Sequence, residues 1–207
     1  MITYYPTTLE NYIEAFYKHI GISEPHELDI MTFSKKLNIP IYFYPTGSQA
    51  IYFLGGYKIN IDPTLTAAEQ WQDFGHELCH VLQQYGSQLN MPDEFIYYQE
   101  NKADNFALHF CVPTFMLERL DIPQFRTKAI EFIADTFNVT FEFAKKRLEK
   151  HEQQILGSQY SLHIKSQLKA SQDFRKAMGC DYTIQDRDKT YLLNQNKGLV
   201  GVINNRR

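Results

Sequence analysis

A chain of 207 residues that is 43% hydrophobic and 14% aromatic can bury a full core as one domain, or as a domain with an appendage. Its formal charge of -3 supplies no field to draw nucleic acid or an acidic membrane, and no apolar run approaches the ~20 residues that span a bilayer. With no basic-then-apolar leader and three scattered cysteines, Cys79, Cys111 and Cys180, the expectation is a cytoplasmic protein with reduced thiols and no membrane partner.

The first predicted element is a helix over residues 7–20, where Tyr12, Ile13, Phe16 and Ile20 recur at helical spacing behind a Thr7 or Thr8 cap. A second helix, 25–37, buries Leu28, Met31, Phe33 and Leu37. Short strands follow at 41–44, 50–54 and 57–61. Pro45-Thr46-Gly47-Ser48 and Gly55-Gly56 supply the turns, which predicts a small antiparallel meander. The third strand, Tyr57, Lys58, Ile59, Asn60 and Ile61, leads directly into a long helix. As a sheet edge it is either structural or a strand that an extended substrate lengthens through main-chain hydrogen bonds.

That helix, 65–85, is expected to be capped by Asp62-Pro63 and closed by Gly86, with Trp71, Phe74, Leu78, Val81, Leu82 and Tyr85 as its core stripe. It carries His76-Glu77-Leu78-Cys79-His80, an H-E-x-x-H pattern. Positions four apart stand above one another on a helix, so both imidazoles can close on one cation while Glu77 faces a water bound there. The pattern alone also fits two solvated histidines beside an unrelated glutamate. A catalytic zinc takes a third protein ligand, and the next helix, 93–112, offers one. Glu100 and Asp104 share one edge of it, beside an apolar face of Ala103, Phe106, Ala107 and Phe110. Two carboxylates at that spacing repel. They are compatible if Glu100 binds the cation and Asp104 accepts the free N–H of a ligating histidine; a solvated acidic edge is the plain alternative. Tyr97, Tyr98 and His109 lie on the same helix as candidate hydrogen-bond donors to an oxyanion, among which spacing does not choose.

After Pro113 a short turn at 115–120 precedes helices at 129–137 and 140–154, separated by Asn138, in a helix-turn-helix-like arrangement. Lys145, Lys146, Arg147 and Lys150 give the second a basic face, so DNA contact stays open, although the overall acidity favours packing or partner docking. The polar tail, 158–207, reads as a hairpin around Asn196-Lys197-Gly198 or as a flexible arm.

Ile59-Asn60-Ile61-Asp62, Phe74-Gly75-His76-Glu77-Leu78-Cys79-His80, Glu100-Asn101-Lys102-Ala103-Asp104-Asn105-Phe106-Ala107 and Cys111-Val112-Pro113 together resemble the ImmA/IrrE family of metallopeptidases. The resemblance covers about residues 7–113, and more weakly extends to 148. It implies an α+β fold, a small β-meander on a helical zincin-like core over 1–122, followed by a helix-turn-helix-like region at 123–156 and a polar extension at 157–207. It further implies zinc, with manganese as the other candidate, held by His76, His80 and Glu100, with Glu77 as general base and Asp104 in the outer shell. The implied activity is narrow-specificity cleavage of a helix-turn-helix repressor encoded by a phage or mobile element, which derepresses its genes under stress. A non-proteolytic anti-repressor, with zinc only as a staple, is the other reading. The chain departs from the family at Gly75, where alanine is usual, and at Cys79, where glycine is usual. Both are small, and Cys79 is a candidate to alter metal or redox behaviour. Gln83 and Gly86 stand where a metzincin needs glycine and a third histidine, which excludes that pattern.

Overall fold

Thr7 opens the first helix, α1 (Thr8–Ile20). Its hydroxyl accepts the Glu10 amide while the Glu10 carboxylate accepts the Thr7 amide, which satisfies two of the free donors at the helix start. The computed structural model describes residues 4–83 and 92–205. These fall into two compact units: Tyr5–Gln153, and the described residues from Gln154 onward together with Tyr4.

In the larger unit the expected second helix is split. Pro25–Glu27 is a single 3-10 turn, and α2 (Ile30–Leu37) starts afresh where the Asp29 side chain accepts the Thr32 amide. Aspartate satisfies a helix start better than a helix interior. The shift leaves Met31 exposed and Phe33 fully buried.

Three strands follow, β1 (Ile41–Phe43), β2 (Gln49–Phe53) and β3 (Gly56–Ile61). Their order is β1-β3-β2, with β1 parallel to β3 and β2 antiparallel to it. This corrects the expected antiparallel meander and moves residues 57–61 from a sheet edge to its centre. Leu54 and Gly55, at φ 51° and 81°, form a tight β2–β3 hairpin. No such turn joins β1 to β2. The segment between them closes instead on Asn60, whose Oδ1 accepts the Tyr44 amide and whose Nδ2 donates to the carbonyls of Tyr44 and Gly47. A buried polar side chain must be hydrogen-bonded. By holding this loop, Asn60 lets the chain cross β3 so that both its edges are paired.

The inner face of β3 buries Ile59 and Ile61 against α3 (Ala67–Gln83). Thr66, not Asp62, caps α3: its hydroxyl accepts the Glu69 amide and the Glu69 carboxylate accepts the Thr66 amide. Asp62 instead accepts the Thr64 amide in an Asx turn. The expected stop at Gly86, and Tyr85 of the expected core stripe, lie outside the described residues. Next comes α4 (Asp93–Cys111), whose Phe110 ring sits 5.1 Å from Phe33, 5.4 Å from Trp71 and 5.4 Å from Tyr17, centroid to centroid. Such pairs each add about 0.5–1.5 kcal/mol beyond the area they bury. The Tyr17 hydroxyl donates to the Phe110 carbonyl across 2.7 Å.

A short α5 (Thr114–Leu117) leads to α6 (Arg126–Phe137) and α7 (Phe141–Ala177). Asn138, left-handed at φ 50°, ends α6. The Thr140 amide then donates to Gln72 Oε1, which ties the start of α7 to α3. Arg147 corrects the expected basic face of this helix. Its side chain is fully buried, donating to the Val112 carbonyl and the Thr114 hydroxyl, while that hydroxyl donates to Glu10. The charge is spent inside the fold, not offered to DNA.

Expected to end near residue 154, α7 continues to Ala177. Residues 155–177 hold no proline and many good helix formers (Leu, Gln, Lys, Ala), with apolar residues scattered among polar ones, so a helix persists where periodicity gives no signal. The smaller unit also holds a sheet, β4 (Tyr182–Asp186), β5 (Lys189–Asn194) and β6 (Gly198–Asn204), antiparallel in that order. The expected hairpin is its β5–β6 half. No helix among the described residues is long and apolar enough to cross a membrane.

Candidate metal centre

The site depends on how closely α3 and α4 approach. A Cβ added at Gly75 would lie 2.7 Å from Cys111 Sγ and 3.2 Å from the Phe110 ring. The missing side chain is therefore what admits the Cys111 sulfur between the helices. With the helices this close, the Glu100 edge of α4 lies against the histidine edge of α3.

One nitrogen from each of His76 and His80 and one Glu100 oxygen all lie within 4.8 Å of one another. His76 Nε2 is 3.0 Å from His80 Nε2 and 3.1 Å from Glu100 Oε2, and His80 Nε2 is 3.7 Å from Glu100 Oε1. Bonds of about 2.0–2.1 Å in a tetrahedral zinc site put neighbouring ligand atoms roughly 3.3 Å apart. The two contacts of His76 Nε2, 3.0 and 3.1 Å, lie close to that value and the other Glu100 oxygen is 3.7 Å from His80, so the residues present fit such an ion. Two imidazoles and a carboxylate are also the donor types zinc prefers. Asp104 Oδ1 is 2.9 Å from His76 Nδ1. Each ring nitrogen of His76 faces a carboxylate, which can only accept, so with a cation bound between Nε2 and Glu100 the proton would sit on Nδ1, donated to Asp104.

Glu77 stands one position round α3, with little of its side chain exposed. Its Oε2 accepts the Ala50 amide of β2 across 2.6 Å. Burial raises its proton affinity, opposed by His76 and His80. Ala50 was invisible as a sequence signal because a main-chain amide has no residue-type signature.

The contact also relocates the edge. Ile59 and Asn60 are paired on both sides, Tyr57 and Lys58 with β2 and Ile61 with β1, so this central strand is not the free edge expected for 57–61; β2 is the strand next to Glu77. Cys79 is fully buried in the core, and desolvation pushes its thiol up to about 12, so it stays a neutral packing group. Cys79 and Cys111 are unpaired thiols, as is Cys180. His109 is on the far side of α4 from Glu100, buried 3.7 Å from a Glu10 oxygen. It belongs to the Glu10–Arg147 cluster and not to this centre. Tyr97 and Tyr98 are largely exposed.

Residues 34–149 match the model of the Peptidase_M78 family, described as an IrrE N-terminal-like domain. The chain belongs to the IrrE N-terminal-like peptidase family. It is 42% identical over 160 residues to the phage-like element PBSX protein XkdA of Bacillus subtilis (strain 168), covering 77% of this chain and 81% of that one. It is 35% identical to the uncharacterized protein YqaB of the same organism, covering 77% of this chain and 93% of that one. Among solved structures it resembles a Mycobacterium tuberculosis transcriptional regulator at 18% identity and a TM-score of 0.51, covering 70% of this chain and 56% of that one. That likeness concerns the fold. The IrrE-like match takes in both metal-facing helices and the strand pair beside Glu77, so the candidate centre lies wholly inside the family's own segment.

Proposed function

We propose that this protein is a zinc-dependent endopeptidase of narrow specificity whose substrate is a helix-turn-helix repressor of a phage or mobile element, cut in the cytoplasm to release the repressor's genes. The observation that carries this is the convergence of His76, His80 and Glu100 from two helices, with Glu77 beside them. Zinc, or manganese in its place, would be held by those three side chains and would supply the Lewis acidity that brings the pKa of a water from ~16 towards ~7. Glu77 is placed to take a proton from a water as its oxygen adds to the peptide carbonyl carbon, and to return that proton to the amine released when the C–N bond breaks. Its raised proton affinity suits a group that must both take and return a proton. The Ala50 amide fixes which carboxylate oxygen is turned away from the cleft, and Asp104 holds the His76 ring. A polypeptide laid along the outer edge of β2 as a further strand would run past Glu77. Relatedness to a phage-like element protein supports the choice of substrate class.

The test is incubation of the zinc-loaded protein with a helix-turn-helix repressor encoded beside its gene. Repressor fragments are expected with the wild type and none with Glu77→Gln, both proteins keeping their zinc. Tight binding with no fragments from either would establish the non-proteolytic anti-repressor instead. Equal cleavage by Glu77→Gln would remove Glu77 from the mechanism.

A further inference from the structure

The outer face of the first sheet departs from what a solvated face should be. Strand alternation turns Ile59 and Ile61 inward, so Lys58 and Asn60 of β3 project outward, with Tyr42 of β1 and Ile51 and Phe53 of β2 on the same side. Outward positions of a sheet covered on one face are normally polar. Here Tyr42, Ile51 and Phe53 are 40%, 38% and 53% exposed. They enclose, with Tyr44 and Asn60, a groove of about 550 Å³, within the ~300–1,000 Å³ range of ligand sites.

At its centre the Lys58 ammonium lies 4.7 Å from the Phe53 ring centroid and 5.5 Å from that of Tyr42. The two rings hold the cation by their faces. Among the described residues no acidic side chain lines the groove, so its charge is left for something that enters. The groove is built, not incidental: Asn60, almost fully buried, pins the loop that forms its rim through three main-chain contacts. It is also mechanically joined to the catalytic side, because β2 supplies Ile51 and Phe53 to the groove and the Ala50 amide to Glu77.

We propose that this groove is an exosite for the protein substrate, taking a segment in which an aspartate or glutamate is flanked by aliphatic or aromatic residues. The carboxylate pairs with Lys58 while its neighbours cover Tyr42, Ile51 and Phe53. The exosite holds one part of the polypeptide while β2 presents another to Glu77; in that respect it rests on the peptidase reading, whereas the binding itself does not.

Selection of a random, surface-displayed dodecapeptide library on immobilised Glu77→Gln protein tests the proposal without cleavage. The retained peptides are expected to be enriched in Asp or Glu beside Leu, Ile or Phe. Retention should fall about tenfold on Glu77→Gln/Lys58→Glu, a loss of roughly 1.4 kcal/mol. Lys58→Met, which keeps the apolar stem, should lose the acidic preference while leaving the circular dichroism spectrum unchanged. Enrichment of basic or purely apolar peptides, no retained peptides, or retention indifferent to both Lys58 variants would each overturn it. A concentration-dependent dimer that Lys58→Glu dissolves would assign the groove to a second copy and overturn it as well. Failure of the wild type to cut any repressor, with acidic selection intact, would count against the peptidase reading alone.

Discussion

The Asp104 carboxylate is 72% exposed, yet one of its oxygens stands 2.9 Å from His76 Nδ1. A surface ion pair contributes little to stability, so its worth lies in fixing the tautomer of His76. Asp104→Ala is therefore expected to leave thermal stability of the metal-free protein nearly unchanged and to weaken zinc binding about 10–100-fold, measured by competition with a calibrated chelator. Unchanged affinity would mean that His76 is held by packing alone. Residues such as His76, Glu77, His80, Glu100 and Asp104 were legible because helical spacing translates directly into a shared face. The Ala50 amide and the burial of Arg147 were not, because each depends on which distant element arrives beside it.

Between elements, the closeness of α3 and α4 is set by a pair, Gly75 and Cys111. A methyl at 75 would overlap the Cys111 sulfur, and overpacking of a tight core costs about 1–3 kcal/mol. Gly75→Ala should destabilise by that amount in urea unfolding and weaken zinc binding as Glu100 is displaced. Adding Cys111→Ala should recover most of both losses, since the sulfur is what the methyl meets. Strictly additive costs in the double variant would show that the two positions do not share one space. The departure at Gly75 was visible in the sequence; its reason was not, because the compensating residue lies one helix away. The strand order was hidden for a similar reason: turn signals at 45–48 and 55–56 look alike, and only the second closes a hairpin, while Asn60 captures the first.

At the scale of the molecule, the larger unit is clamped by buried polar groups that the site does not use. His109 and His151 sit beside Arg147 and Glu10, with Lys150 also near His109. Desolvation first, and Arg147 next, depress both imidazoles from 6.5 to about 4. Folding thus favours their neutral forms, and the unfolded chain binds more protons between those values. Their contribution is fully present above about pH 6.5 and is lost as pH falls towards 4. Thermal unfolding followed in excess chelator, so that metal loss plays no part, should show the midpoint falling over that window. His151→Gln should flatten the fall, and a midpoint independent of pH there would contradict the clamp. The α+β class and the helical core were legible from periodicity, because the residues that face inward are apolar. The length of α7 was not, since the apolar residues of its second half are scattered round the helix and form no periodic stripe.

Proteolysis by this protein requires that α3 and α4 share one divalent ion. Elemental analysis of protein purified without chelators, beside Glu100→Ala and His80→Ala, tests this directly. Stoichiometric zinc or manganese in the wild type, lost from both variants while their helical content is kept, is the predicted result. A wild type without stoichiometric metal after incubation with excess zinc, or variants that retain it fully, would contradict the account.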